Sequence, residues 1–229
     1  MNSNPVYQHI NKILIGSLLW GAFYLYVFFD ETAWNLTFFG ELFQGYSYEL
    51  IYAIQIVFFG MLVINLYHFT VGKKYSQFNF SVFFKVFIAS AMVVAITQFF
   101  LQYFELDFHY GLIGYLTGSR FNQTFVDTSL LIYCLYLMGT ILISIYISLF
   151  IVYLFQIKKM GLDVDSTVLF RACVALAAFG WVLGSSPSGF DWIRLAFFAL
   201  YIVFACIVYL RTKYSLKAMM ISIVILFIL

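Results

Sequence analysis

The chain has 229 residues, of which 64% are hydrophobic and 10% charged, with a mean hydropathy of +0.97 and a net charge of +2. Soluble domains carry about 25% charged residues, so a water-soluble globular fold is excluded and a bilayer is the expected solvent. With 29 Phe, 18 Tyr and only 2 Pro spread over long apolar runs, the composition predicts helices; a barrel would show alternating segments of about ten residues. Nothing in this composition predicts a nucleic-acid partner or a cofactor.

The fold class expected is all-α: a polytopic transmembrane helix bundle, forming a single integral membrane domain of six full spans and a seventh partial one. A single lysine, Lys12, precedes the first apolar run, residues 13–29, and no small-residue cleavage pattern follows it. That run therefore reads as a retained helix rather than a cleaved leader. Asp30 and Glu31 close it. Residues 30–49 hold Trp34, Glu41, Tyr46 and Tyr48, a polar-aromatic mixture suited to the headgroup layer. The second span, 50–71, stops at Gly72-Lys73-Lys74. The third, 81–104, carries Lys85 one turn inside its start. The fourth, 130–157, stops at Lys158-Lys159 and is long enough to tilt or project. A short turn with Asp163 and Asp165 leads to the fifth, 169–184. The stretch Ser185-Ser186-Pro187-Ser188-Gly189 is a turn, and the sixth span, 192–210, is closed by Arg211 and Lys213. The last run, 214–229, is too short at ~1.5 Å per residue for a hydrocarbon core of ~30 Å. It predicts either a longer natural protein or a half-helix capped by another subunit, because uncovered terminal carbonyls are costly in lipid.

With the N-terminus placed in the cytoplasm and the sides alternated, the basic residues segregate. Lys12, Lys73, Lys74, Lys85, Lys158, Lys159, Arg171, Arg211, Lys213 and Lys217 fall inside, leaving Arg120 and Arg194 outside. This Lys/Arg bias sets the orientation expected for a plasma (bacterial inner) membrane protein. Asp30, Glu31, Glu41, Glu49, Glu105, Asp107, Asp127 and Asp191 make the outer face acidic.

The longest segment that cannot enter a lipid core is 105–129. Glu105, Asp107 and His109 alternate in sequence, so an extended backbone puts them on one side. Such a set can bind a divalent metal or do acid–base work, although no Cys or second His completes a standard zinc motif; an anionic helix exit is the plainer account. Gly111, Gly114 and Gly118 precede Ser119-Arg120, and backbone amides with Arg120 could hold an anion. Arg194 beside Asp191 suits snorkelling or pairing with Asp127.

Deeper in the spans lie Gln55, Asn65, His68, Thr97, Gln98 and Gln102. Thr140, Ser144 and Ser148 recur every four residues and form one stripe, and Gly180 and Gly184 form a small-xxx-small pair. Both patterns let helices approach and hydrogen-bond. Cys134, Cys173 and Cys206 all fall within apolar runs, as small packing residues rather than a disulfide or metal framework. No Asp or Glu lies deep in a span, which disfavours a proton- or sodium-coupled carrier, and no nucleophile motif is present.

Three classes of function remain. The first is a non-catalytic membrane module, a sensor region or accessory subunit packed against other membrane proteins or a second copy. The second is a small channel or carrier whose acidic mouth attracts cations. The third is an enzyme acting on a lipid or lipid-linked substrate, with His109 and its neighbouring acids as the acid–base group.

Overall fold

A computed structural model describes residues 8, 10–12, 14–16, 18–19, 22, 47–70, 79–104, 130–159, 166–186, 189–190 and 192–229. Among these the chain is all-helical apart from one short ladder. The helices are α1 (Ser47–Thr70), α2 (Phe80–Tyr103), α3 (Leu130–Lys159), α4 (Ser166–Gly184), α5 (Trp192–Arg211) and α6 (Leu216–Ile228). The described residues between 8 and 22 are helical too. Two-residue strands β1 (Ser185–Ser186) and β2 (Gly189–Phe190) pair antiparallel between α4 and α5, where a turn is expected.

Of the six full spans expected, two helical stretches among the described residues, Phe80–Leu101 and Tyr133–Gln156, are long and apolar enough to cross a membrane. Tyr52–Ile64, Leu195–Arg211 and Leu216–Ile228 are shorter apolar helices. Several ends also move. α1 begins three residues before the expected 50, because Ser47 and Glu49 suit a helix N-terminus. Lys158 and Lys159 lie inside α3 rather than stopping it. Their cationic side chains favour a helix C-terminus, so they extend the helix by its last residues. α4 starts at Ser166, before the expected 169. α6 starts at Leu216 rather than 214, because Ser215 caps it, its Oγ accepting from the Ala218 amide.

The chain divides into two compact units, Met1–Ser47 with Leu154–Ala196 and Tyr48–Tyr153 with Phe197–Leu229. In the second unit, ring contacts fix helix directions. Tyr52 meets Tyr136 edge-on at 5.4 Å and Phe59 meets Tyr146 at 6.2 Å, so α1 and α3 run parallel. Phe198 and Tyr201 both meet Phe227, at 5.4 and 5.5 Å, while Val208 packs near Ala218 at the other end. α5 and α6 are therefore antiparallel. Val86 of α2 joins Val208, and Thr97 of α2 lies beside the Tyr201 hydroxyl, making α2 antiparallel to α5.

Two helices of similar composition have opposite surroundings. Between residues 143 and 150 α3 is buried on every side. In its apolar stretch 72% of residues are buried, against 22% in that of α2. The outward surface of α2 carries Phe84, Ile88, Met92, Ile96, Phe99 and Tyr103, all exposed. α6, the partial span, is well covered: Met219, Ile223, Leu226 and Phe227 are fully buried. α5 and α2 supply the cover that its apolar length demands.

A long-range polar contact lies in the first unit. The Arg171 guanidinium, near the start of α4, donates to Asn11 Oδ1 at 2.8 Å.

Candidate functional site

Glu105, Asp107, His109, Arg120 and Asp127 lie outside the described residues. The described buried polar side chains belong to the second unit; Gln55 lies at the seam where α1 meets α3, and Thr140, Ser144 and Ser148 are buried along α3. Gln55 is 3% exposed and Thr140 is 3% exposed, while Ser144 and Ser148 are wholly buried.

The closest approach of the seam is at Gly139. A Cβ there would stand 3.0 Å from Gln55 Nε2, 3.1 Å from Cδ and 3.3 Å from Cγ. Glycine is what lets the carboxamide lie against the α3 backbone. Sequence reasoning noted Gln55 as a deep polar residue but missed Gly139, which stands next to Thr140 and one helical turn after Tyr136. The missed signal is that the i, i+3 spacing of Tyr52 and Gln55 matches that of Tyr136 and Gly139, so both pairs can meet across parallel helices. Among the described residues a Cβ at Gly180, the first of the Gly180 and Gly184 pair, would meet Leu195 Cδ1 at 3.6 Å, an ordinary contact. At Gly184 the helix ends.

The hydroxyl stripe is buried, but its bonds do not link helices. Thr140 Oγ1 donates to the Tyr136 carbonyl at 2.9 Å and Ser148 Oγ to the Ser144 carbonyl at 2.8 Å, both one turn back in α3. Ser and Thr satisfy themselves this way when no better acceptor is aimed at them. Gln55 Oε1, Ser90 Oγ and Ser144 Oγ are buried with no hydrogen-bond partner among the described residues. Ser222 Oγ in α6 donates to the Met219 carbonyl at 2.7 Å. Gln98 is half-buried, whereas the side chains of Asn65, His68, Gln102 and Arg194 are outside the description.

Chemically the seam offers amides and hydroxyls, all neutral. Such groups can hold helices together or receive a neutral hydrogen-bonding ligand; they cannot act as general acid or base near neutral pH. Among the described residues no group of three or more His, Cys, Asp or Glu could hold a metal. The three cysteines are free thiols; Cys134 and Cys206 are half-buried, but Cys173 is exposed and does not pack as expected, because it lies on the outward face of α4.

No protein-family model matches this chain, and neither a curated protein nor a solved structure matches it.

Proposed function

We propose that this chain is a multi-pass plasma (bacterial inner) membrane protein with a cytoplasmic N-terminus, and that it serves as a non-catalytic module: a sensor region or an accessory subunit. The observation that carries the reading is the exposed hydrocarbon of α2. A helix without a charged residue other than Lys85 has only 22% of its apolar stretch buried, and an aliphatic-aromatic wall of that length is unfavourable in water. In a bilayer it needs no further cover.

Helix direction supports a multi-pass arrangement. If each of α1 to α6 crosses in turn, α1 and α3 run one way, and α2 and α6 the opposite way to α5. The ring and side-chain contacts agree at each pair they define. The Arg171–Asn11 bond brings together two segments that the Lys/Arg bias assigns to the cytoplasm. The non-catalytic part of the reading rests on the neutral seam, which holds helices but moves no proton. Residues 105–129, with Glu105, Asp107, His109, Arg120 and Asp127, form the outward ligand-facing segment in this reading.

The test is purification from native membranes in mild detergent, followed by native mass analysis and reconstitution. The expected result is an assembly heavier than one 26.6 kDa chain and no ion flux in liposomes. A monomer that conducts cations would replace this reading with the channel.

A further inference from the structure

Four cations converge at one end of the second unit. Lys85 comes from the first turns of α2, Arg211 from the end of α5, Lys213 from the turn that follows, and Lys217 from the first turn of α6. All four are exposed. Lys85 is over a hundred residues before the other three in sequence, and an apolar cluster joins the helices that carry them. Val86, Val208 and Ala218 are its buried centre, with Val82, Phe204 and Ile221 against it. Lys85 precedes Val86, Lys217 precedes Ala218, and Arg211 lies one turn beyond Val208, so three of the four charges flank a member of the cluster, and Lys213 lies in the turn between two of them.

Nothing described neutralises them. α2, α5 and α6 contain no Asp or Glu at all. None of the four cations has an ion-pair partner among the described residues. The N-terminus of α6 adds its own partial positive charge at the same place. The connecting turn is held in an uncommon form, with Lys213 at φ 56° and Tyr214 at φ 68°, and the Tyr214 amide donates to the Tyr209 carbonyl at 2.8 Å. Tyr214 is 53% exposed and Phe84, beside Lys85, is also 53% exposed.

Lys85 shows what kind of anion is wanted. It stands on an otherwise hydrocarbon surface between Phe84 and Ile88, a position where lysine runs its stem along the apolar wall and carries its ammonium to the nearest polar layer. That layer lies at the end of the helix where the other three charges are. We propose that Lys85, Arg211, Lys213 and Lys217 form a binding site for the headgroup of an anionic phospholipid, with Phe84 and Tyr214 at the level where acyl chain meets glycerol. Four uncompensated cations beside an apolar, aromatic-edged wall match a phosphate on two hydrocarbon chains better than they match a free anion. The proposal rests on the membrane reading above.

The full chain in detergent is titrated with phosphatidylglycerol and with phosphatidylcholine of the same acyl chains, and bound lipid is counted by native mass spectrometry. The expected preference for phosphatidylglycerol is about tenfold, an affinity gain smaller than four surface cations could give if unscreened. It should vanish in the variant combining Lys85→Gln, Arg211→Gln, Lys213→Gln and Lys217→Gln, and survive in Lys12→Gln. Equal binding of the two lipids, or a preference that survives the fourfold change, overturns the site. If that variant does not fold, high salt on the unaltered chain decides: the preference must fall as the charges are screened, and one that ignores salt overturns the site. Displacement of the lipid by excess inorganic phosphate would show a free-phosphate site instead and also overturns it. Failure of the membrane reading looks different, since alkaline carbonate would then release the chain from membranes before any lipid is offered.

Discussion

Gly139 and Gln55 make the tightest polar contact in the seam, and they predict a specific non-additivity. Gly139→Ala puts a methyl 3.0 to 3.3 Å from the Gln55 carboxamide and stem, an overpacking that costs about 1–3 kcal/mol. The gain in helix propensity, about 1 kcal/mol, offsets part of it. Shortening the glutamine removes the clash, so the double variant Gly139→Ala with Gln55→Ala should lose less than the sum of its parts in a detergent melting series. Simple additivity would mean that Gln55 moves away freely. A second test uses the buried oxygens without partners. Gln55→Met and Ser144→Ala each remove an oxygen that makes no hydrogen bond among the described residues, so both should leave Tm unchanged or raise it. A fall of more than about 1 kcal/mol in either would reveal a ligand or partner group that satisfies the oxygen in the native protein.

At the scale of the element, α2 and α6 give opposite expectations. The outward residues Met92 and Ile96 are 58% and 50% exposed. If lipid covers them, Met92→Arg or Ile96→Arg costs about 2.5–3.5 kcal/mol of insertion free energy, and the carbonate-resistant fraction of the protein should drop. If water covered them, either arginine would be harmless, and an unchanged fraction would count against the membrane reading. α6 depends on its cap. Ser215 is 3% exposed and its Oγ accepts from the Ala218 amide at 3.3 Å. Ser215→Ala should therefore destabilise the chain by about 1 kcal/mol, visible as a lower Tm, whereas Ser215→Asn should retain most of the stability because its side-chain oxygen can still cap.

For the whole molecule, the prediction is topological. A single reporter cysteine at position 119, on a chain with Cys134, Cys173 and Cys206 changed to Ala, should react with an impermeant reagent added from outside intact cells. One at Thr212, in the turn between α5 and α6, should react only after the cells are opened. A reporter at 119 that reacts only from the cytoplasm would invert the orientation. If the outer segment is a ligand site, His109→Ala should reduce any response of the protein without lowering its expression, since a loop side chain carries little packing energy.

The apolar runs by themselves determined where helices form, because hydrocarbon length and the scarcity of proline leave few alternatives to a helix in this composition. Helix ends were legible to within about three residues, and Ser215 shifts the last of them by capping α6. The hydroxyl stripe of α3 was legible from its four-residue repeat, and all three of its members are buried. Only the tertiary structure decided which helix is inside. α2 and α3 read alike as sequence because both are apolar all round, and with no polar face nothing local distinguishes the buried helix from the exposed one. It also decided that Gly139 takes a close approach to Gln55, that the Thr140 and Ser148 hydroxyls bond within their own helix, and that the start of α2 meets the end of α5 and the start of α6. Each of these depends on which helices are neighbours, a pairing between distant segments that helical periodicity within one segment does not encode.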